Sequence, residues 1–196
     1  MKKLVGLTGK TGAGKSTISD YLKKKGAYII DGDVVARKVL VDNADLLKNL
    51  SKEFGDGILN PDGTLNRRAL ALEAFSTSEK TMHLNSIMHP AINDFIFEEA
   101  ESAFNDYDVV IVDAAAIIES GFTDKSDYII VVHAPLEIRK ERIIKRDGLT
   151  ETDADIRING QKDDDFYLSR ADFVFNNFPP HNIEEQLLQL EKELFD

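Results

Sequence analysis

The chain has 196 residues (21.9 kDa), 42% of them apolar, enough for one large core with inserted subdomains and too apolar for a disordered chain. Its 35 acidic and 24 basic side chains give a net charge of −11, which repels phosphate polymers and anionic lipid and disfavours general nucleic-acid or membrane binding. With no cysteine there are no disulfides, thiolate zinc sites or cysteine nucleophiles, and the cytoplasm is the expected compartment. His83, His89, His133 and His181 lack close ligand spacing, so no histidine metal site is expected. The apolar run from Leu4 to Thr8 is too short for the core of a signal peptide, and no run reaches membrane-spanning length.

Leu4 to Thr8 reads as a short buried strand, Gly9 to Gly14 as a glycine-rich loop, Ser16 to Lys25 as a helix closed by Gly26, and Ala27 to Ile30 as a second strand. That is a βαβ beginning. After the polar Asp31-Gly32-Asp33, a helical period resumes from Val34 to Val41. From about Ala44 to Asn105 there is no convincing strand, and helical stretches are broken by Gly55, by the turn Asn60-Pro61-Asp62-Gly63 and by His89-Pro90.

The continuous β-branched runs Asp108–Asp113 and Tyr128–His133 have the pattern of strands covered on both faces in a parallel sheet. Leu136 to Arg146, a helix after Pro135, is the most basic stretch, with Arg139, Lys140, Arg142, Lys145 and Arg146. Glu151 to Asp165 is acidic and polar, with little to anchor it in a core, and is expected to move. Phe173 to Phe175 reads as a last strand, and Ile183, Leu187, Leu190 and Leu194 mark the apolar face of a closing helix. The expected architecture is one α/β domain with a helical insertion and a basic arm.

Chemistry concentrates in Gly9-Lys10-Thr11-Gly12-Ala13-Gly14-Lys15-Ser16, which matches the phosphate-binding pattern G-x-x-x-x-G-K-[ST] between a strand and a helix. Glycines let successive N–H groups turn inward, and the helix that follows presents the positive end of its dipole. Lys15 adds charge at the β/γ-phosphates and Ser16 offers a hydroxyl to Mg²⁺. Triphosphate binding follows; the alternative is a glycine-rich helix entry without a ligand.

Asp31 and Asp33 are expected at the end of the second strand, facing the same side, with Asp33 four residues before Arg37. Helix capping with a surface ion pair is one reading. A ligand site beyond the carboxyl end of a strand is the other, favoured by position. Asp113 ends its strand as a Walker-B acid does, a candidate for Mg²⁺ or for a turn or cap. Arg142 and Arg146, four residues apart, share a helix face that serves either as an arginine lid over a transferring phosphoryl group or as a solvated surface. A guanine-reading N-K-x-D segment is absent, which argues against a GTPase-like switch.

Several motifs in order resemble the dephospho-CoA kinase family. The opening Gly6-Leu7-Thr8-Gly9 into Gly12-x-Gly14-Lys15-Ser16, then Asp31-Gly32-Asp33 with Arg37, Gly63-x-Leu65-Asn66-Arg67 and His89-Pro90 are similar to that family's motifs. So are Glu119-x-Gly121, Arg142 with Arg146-Asp147-Gly148, Arg157-Ile158 with Gln161, and Ala171-Asp172 with Asn177.

The resemblance implies a three-layer P-loop kinase fold with a parallel five-stranded sheet. Its core comprises residues 1–43, 106–135 and 166–196, with a helical acceptor-binding insertion over 44–105 and a mobile basic lid over 136–165. It implies Mg²⁺- and ATP-dependent phosphorylation of the ribose 3′-hydroxyl of dephospho-CoA, the last step of coenzyme A synthesis; another small-molecule P-loop kinase, for nucleosides or nucleotides, is the alternative. Implied ATP contacts are Gly12, Ala13, Gly14, Lys15, Ser16, Thr17, Arg142 and Asn177, with Asp33, Lys15 and Arg142 as catalytic groups and Ser16 and Asp113 on the metal. Asp31, Arg37, Arg67 and His89 are the implied acceptor contacts; His89-Pro90 also reads as a helix-start turn. The chain departs from the family's usual residues at Ala115–Ile118, Gly32, Asn66 and Arg139.

Overall fold

A computed structural model describes residues 2–196. The described residues form two compact units, one made of 2–30 with 100–196 and the other of 31–99.

In chain order the first elements are strand β1 (Lys3–Thr8), helix α1 (Lys15–Lys24), strand β2 (Tyr28–Asp31), and helices α2 (Gly32–Asp42), α3 (Ala44–Phe54), α4 (Arg67–Ala74) and α5 (Ser78–Ala103). They are followed by β3 (Val109–Asp113), β4 (Tyr128–His133), α6 (Leu136–Asp147), α7 (Glu151–Asn159), α8 (Asp164–Leu168), β5 (Phe173–Asn176) and α9 (Ile183–Phe195). The five strands make a parallel sheet of order β2-β3-β1-β4-β5, as expected for a three-layer α/β fold. In the central strand the pleat sends Val5 and Leu7 to one face, where they join Ile18 and Leu22 of α1 and Leu187, Leu190 and Leu194 of α9 in a dry core. On the opposite face Gly6 leaves room for Ile129, Ile117 and Phe122: a Cβ there falls 2.7 Å from Ile129 Cδ1.

The second unit is helical, with one isolated antiparallel bridge between Leu59 and Leu65. It begins at Asp31 and ends at Glu99, compared with the 44–105 expected for the insertion. Asp31 is at once the last residue of β2 and the cap of α2, its Oδ1 accepting from the N–H groups of Asp33 (2.9 Å) and Val34 (3.0 Å). Asp33 therefore lies in the first turn of a helix and not on the strand, so the strand-alternation argument for a shared Asp31–Asp33 face does not hold.

Two further expectations are corrected. His89-Pro90 does not break the helix: α5 runs through Pro90. Leu84, Met88, Ile96 and Ala100, spaced by multiples of four, form one buried stripe, and their burial outweighs the one donor that proline removes. Nor does 151–165 lack anchors. Ala154 and Ile158 of α7 are buried with Ile143 of α6 in a small cluster of their own, which Ile144 and Leu149 flank.

Candidate active site

The glycine-rich segment Gly9–Gly14 leaves β1 at its carboxyl end and enters α1. Gly9, Gly12 and Gly14 have φ of 145°, 81° and 98°. At Gly12 and Gly14 the approach of neighbours also requires glycine. A Cβ on Gly12 falls 2.6 Å from the Arg139 carbonyl oxygen, and one on Gly14 falls 2.2 Å from Asn177 Nδ2.

The loop's carbonyls are held from outside. Arg142 Nη1 donates to the carbonyls of Gly12 (3.3 Å) and Ala13 (3.1 Å), while its Nη2 donates to the Asn177 carbonyl (2.8 Å). Asn177 Nδ2 donates to the same Ala13 carbonyl at 2.8 Å. With the carbonyls engaged, the N–H groups of Gly12, Gly14, Lys15 and Ser16 have no protein acceptor among the described residues. Four donors in consecutive turns at a helix N-terminus make a concave nest for an anion. Lys15 Nζ folds back to the Gly9 carbonyl at 3.3 Å, a long bond that a phosphate oxygen readily replaces. Ser16 and Thr17 are exposed, and Thr17 N–H closes the first turn on the Gly14 carbonyl (3.2 Å).

Asp113 is the final residue of β3, in register with Leu7 of β1, and the following Ala114 N–H donates to the Leu7 carbonyl. Thr8, fully buried, donates its hydroxyl to the Ala115 carbonyl at 3.1 Å. These contacts set the end of β3 beside the start of the loop.

The basic helix does not present a continuous cationic face. Arg139 is 2% exposed, with Nε donating to the Ala134 carbonyl. Lys140 pairs with Asp155 at 2.9 Å. Arg146 is held by Asp147 (2.7 Å), which Arg157 also meets at 2.7 Å, so Arg142 and Arg146, four residues apart on α6, engage different partners. The Arg146 guanidinium, with its hydrogen bond, holds the Asp147 carboxyl below the usual carboxylate range.

In the helical unit, Asp33 is exposed and its carboxylate has no ion-pair partner among the described residues. The Asp33–Arg37 ion pair is not formed: Arg37 Nε donates instead to the Asp33 main-chain carbonyl (3.0 Å), and Arg67 Nη2 donates to the Arg37 carbonyl (3.2 Å). His89 is half-buried midway along α5.

Two contacts of the loop involve side chains to which sequence reasoning gave no role there. Gln161 Oε1 accepts from Thr11 N–H (2.9 Å), and Asp164 Oδ1 lies 2.9 Å from Lys10 Nζ. Their separations of 150 and more residues leave no local signal, although Gln161 sits in a family-like motif.

The dephospho-CoA kinase family model matches residues 3–180. The chain belongs to the dephospho-CoA kinase family. It is 43% identical over 188 residues to the dephospho-CoA kinase of Corynebacterium jeikeium (strain K411), covering 94% of each chain. Against the dephospho-CoA kinase of Listeria monocytogenes it is 36% identical over 196 residues, covering 100% of this chain and 95% of that one. The solved dephospho-CoA kinase from Campylobacter jejuni superposes with a TM-score of 0.71 at 26% identity, covering 98% of this chain and 97% of that one. Family membership makes the chain an ATP-dependent kinase. Among the described residues no helix is long and apolar enough to cross a membrane.

Proposed function

We propose that this cytoplasmic enzyme moves the γ-phosphoryl of ATP onto the ribose 3′-hydroxyl of dephospho-CoA, and that the residues above divide the work. The observation that carries the ATP half is the nest of N–H groups at Gly12, Gly14, Lys15 and Ser16, beside which Arg142 and Asn177 engage the Gly12 and Ala13 carbonyls. Gly12 to Thr17 cradle the phosphates. Lys15 exchanges the Gly9 carbonyl for a phosphate oxygen, and Asn177 and Arg142 border the nucleotide. With Nε uncommitted, Arg142 can add charge toward the phosphates while its Nη groups hold the loop.

Ser16 and Asp113 offer hard oxygen donors of the kind Mg²⁺ takes. No cluster of three or more His, Cys, Asp or Glu side chains able to hold a metal occurs among the described residues, which suits an ion completed by nucleotide oxygens and water. Bound Mg²⁺ supplies charge neutralisation on the transferring group.

In this reading Asp33 aligns the acceptor hydroxyl, and Asp31, Arg37, Arg67 and His89 contact the acceptor. Supporting this are its exposure, its uncommitted carboxylate and its seat within a family-like motif. Its contribution is alignment of the hydroxyl, with acceptance of the proton completing transfer. The test is steady-state turnover with Mg·ATP over dephospho-CoA, adenosine, AMP and shikimate. Dephospho-CoA alone is expected to turn over, with Asp33→Asn losing at least about 100-fold in kcat while retaining ATP affinity. Equal use of nucleosides overturns the acceptor assignment, and an unchanged kcat in Asp33→Asn removes that residue from the mechanism.

A further inference from the structure

The phosphate loop is held in two halves by two different parts of the chain. Arg142 and Asn177 fix the carbonyls of Gly12 and Ala13, the half that meets phosphate. The Lys10–Thr11 half is held by Gln161, in the segment joining α7 to α8, and by Asp164 at the start of α8. Gln161 Oε1 takes the Thr11 N–H at 2.9 Å, and Asp164 Oδ1 meets Lys10 Nζ at 2.9 Å, with the Lys10 side chain only 13% exposed. Lys10 also accepts the Ala13 N–H on its carbonyl (3.0 Å), so its position sets the turn that leads into the nest.

A buried charge, Arg139, lines the same small cavity as Lys10 and Asp164. Arg139 is 2% exposed, spends Nε on the Ala134 carbonyl, and leaves Nη1 buried without a hydrogen-bond partner. Burial alone raises the pKa of Asp164, but the close Lys10 ammonium, with the His133 and Arg139 charges, overcomes it and holds the carboxyl below its usual range. Asp164 is thus ionised at neutral pH, between a loop lysine and a buried guanidinium.

The geometry points to Gln161 and Asp164 as positioning residues that latch the Lys10–Thr11 half of the phosphate loop and thereby set its affinity for ATP. This rests on the proposed ATP site. Neither side chain is asked to touch nucleotide; both act by fixing the direction from which the Gly12–Ser16 amides converge. Loss of the latch lets the loop sample orientations that do not bind, which lowers affinity and leaves the bound complex able to react.

The test compares wild type with Asp164→Asn, Gln161→Ala, Lys10→Met and the Lys10→Met/Asp164→Asn pair. ATP affinity is read by calorimetry, and kcat and both KM values by steady-state assay. Asp164→Asn and Lys10→Met are each expected to raise the Kd and KM for ATP about 5- to 20-fold, the scale of one charge-assisted contact, and Gln161→Ala about 3- to 10-fold, the scale of one neutral hydrogen bond, with kcat and acceptor KM within about twofold in all three. The pair is expected to be no worse than the worse single variant. In nucleotide-free protein the Thr11 amide is expected to exchange hydrogen faster in Gln161→Ala. Wild-type protein that fails to bind ATP overturns the functional reading, and the latch with it. Wild type that binds ATP alongside variants that bind it equally tightly overturns the latch alone. So does a parallel loss in kcat and acceptor KM, the sign of general unfolding.

Discussion

Replacing Arg142 by alanine separates two roles that a lid arginine can have. In the free protein its guanidinium makes three hydrogen bonds: 3.3 and 3.1 Å to the Gly12 and Ala13 carbonyls and 2.8 Å to that of Asn177. The site is only half-buried, so water re-solvates the carbonyls in part, and each bond is worth about 1 kcal/mol net, less for the longest. The sum is roughly 2–3 kcal/mol. At about 2–4 °C per kcal/mol for a chain of this size, Arg142→Ala is expected to lower Tm by roughly 5–10 °C without nucleotide. Arg142→Lys recovers little of this, because one ammonium cannot reach carbonyls on two segments at once. The assay is scanning calorimetry of nucleotide-free protein alongside an ATP titration. If Arg142 serves phosphate alone, the free protein melts unchanged and only ATP binding weakens. A Tm within about 1 °C of wild type would refute the loop-holding account.

Other substitutions probe neighbouring parts of the argument. Gly14→Ala forces a Cβ to 2.2 Å from Asn177 Nδ2 at a φ of 98°, whereas at Gly26 (φ 103°) the Cβ meets nothing within 4 Å. Both pay about 1–2 kcal/mol of left-handed strain, but only Gly14→Ala is expected to weaken ATP binding, by at least about 10-fold in a calorimetric titration. Pro90→Ala restores a main-chain donor inside α5 and is expected to stabilise by about 1–2 kcal/mol in a urea titration, less than the full penalty of an interior proline because that helix already tolerates it. Burial lowers the His133 pKa despite the opposing Asp164 charge, so the unfolded chain binds the proton more readily than the folded one. Stability is therefore lost as pH falls through the ordinary histidine range, about 6.5. His133→Asn is expected to flatten that slope between about pH 7 and pH 5.5 in urea titrations.

The strands and the phosphate loop were legible because their signals are local. Continuous β-branched runs at 108–113 and 128–133 became β3 and β4, and a glycine-lysine-serine spacing became the nest, since backbone conformation there follows from residues within one turn. Asp31 does end β2, but Asp33 reads as strand end only if capping is ignored; the N–H groups of Asp33 and Val34 need an acceptor, and Asp31 supplies it by starting α2. Proline at 90 reads as a break by local rules, and only the buried stripe spaced by multiples of four along α5 overrides it.

The partners of the basic helix were illegible for a different reason. Its charges look equivalent in sequence, yet the fold buries Arg139, turns Arg142 to the loop, gives Lys140 to Asp155 and gives Arg146 to Asp147. A guanidinium's worth depends on the carbonyl or carboxylate it meets, and those partners are set by packing between distant segments. The same holds for Gln161 and Asp164, whose contacts with Thr11 and Lys10 arise only when the α7–α8 connection is laid against the loop.

The most direct measurement is to incubate the purified protein with Mg·ATP and dephospho-CoA and to locate the added phosphate by mass and phosphorus NMR. The account predicts coenzyme A, carrying one new phosphate on the ribose 3′ oxygen, formed in step with ADP. ADP release with no phosphate on dephospho-CoA, or a phosphate on any other oxygen, would contradict it.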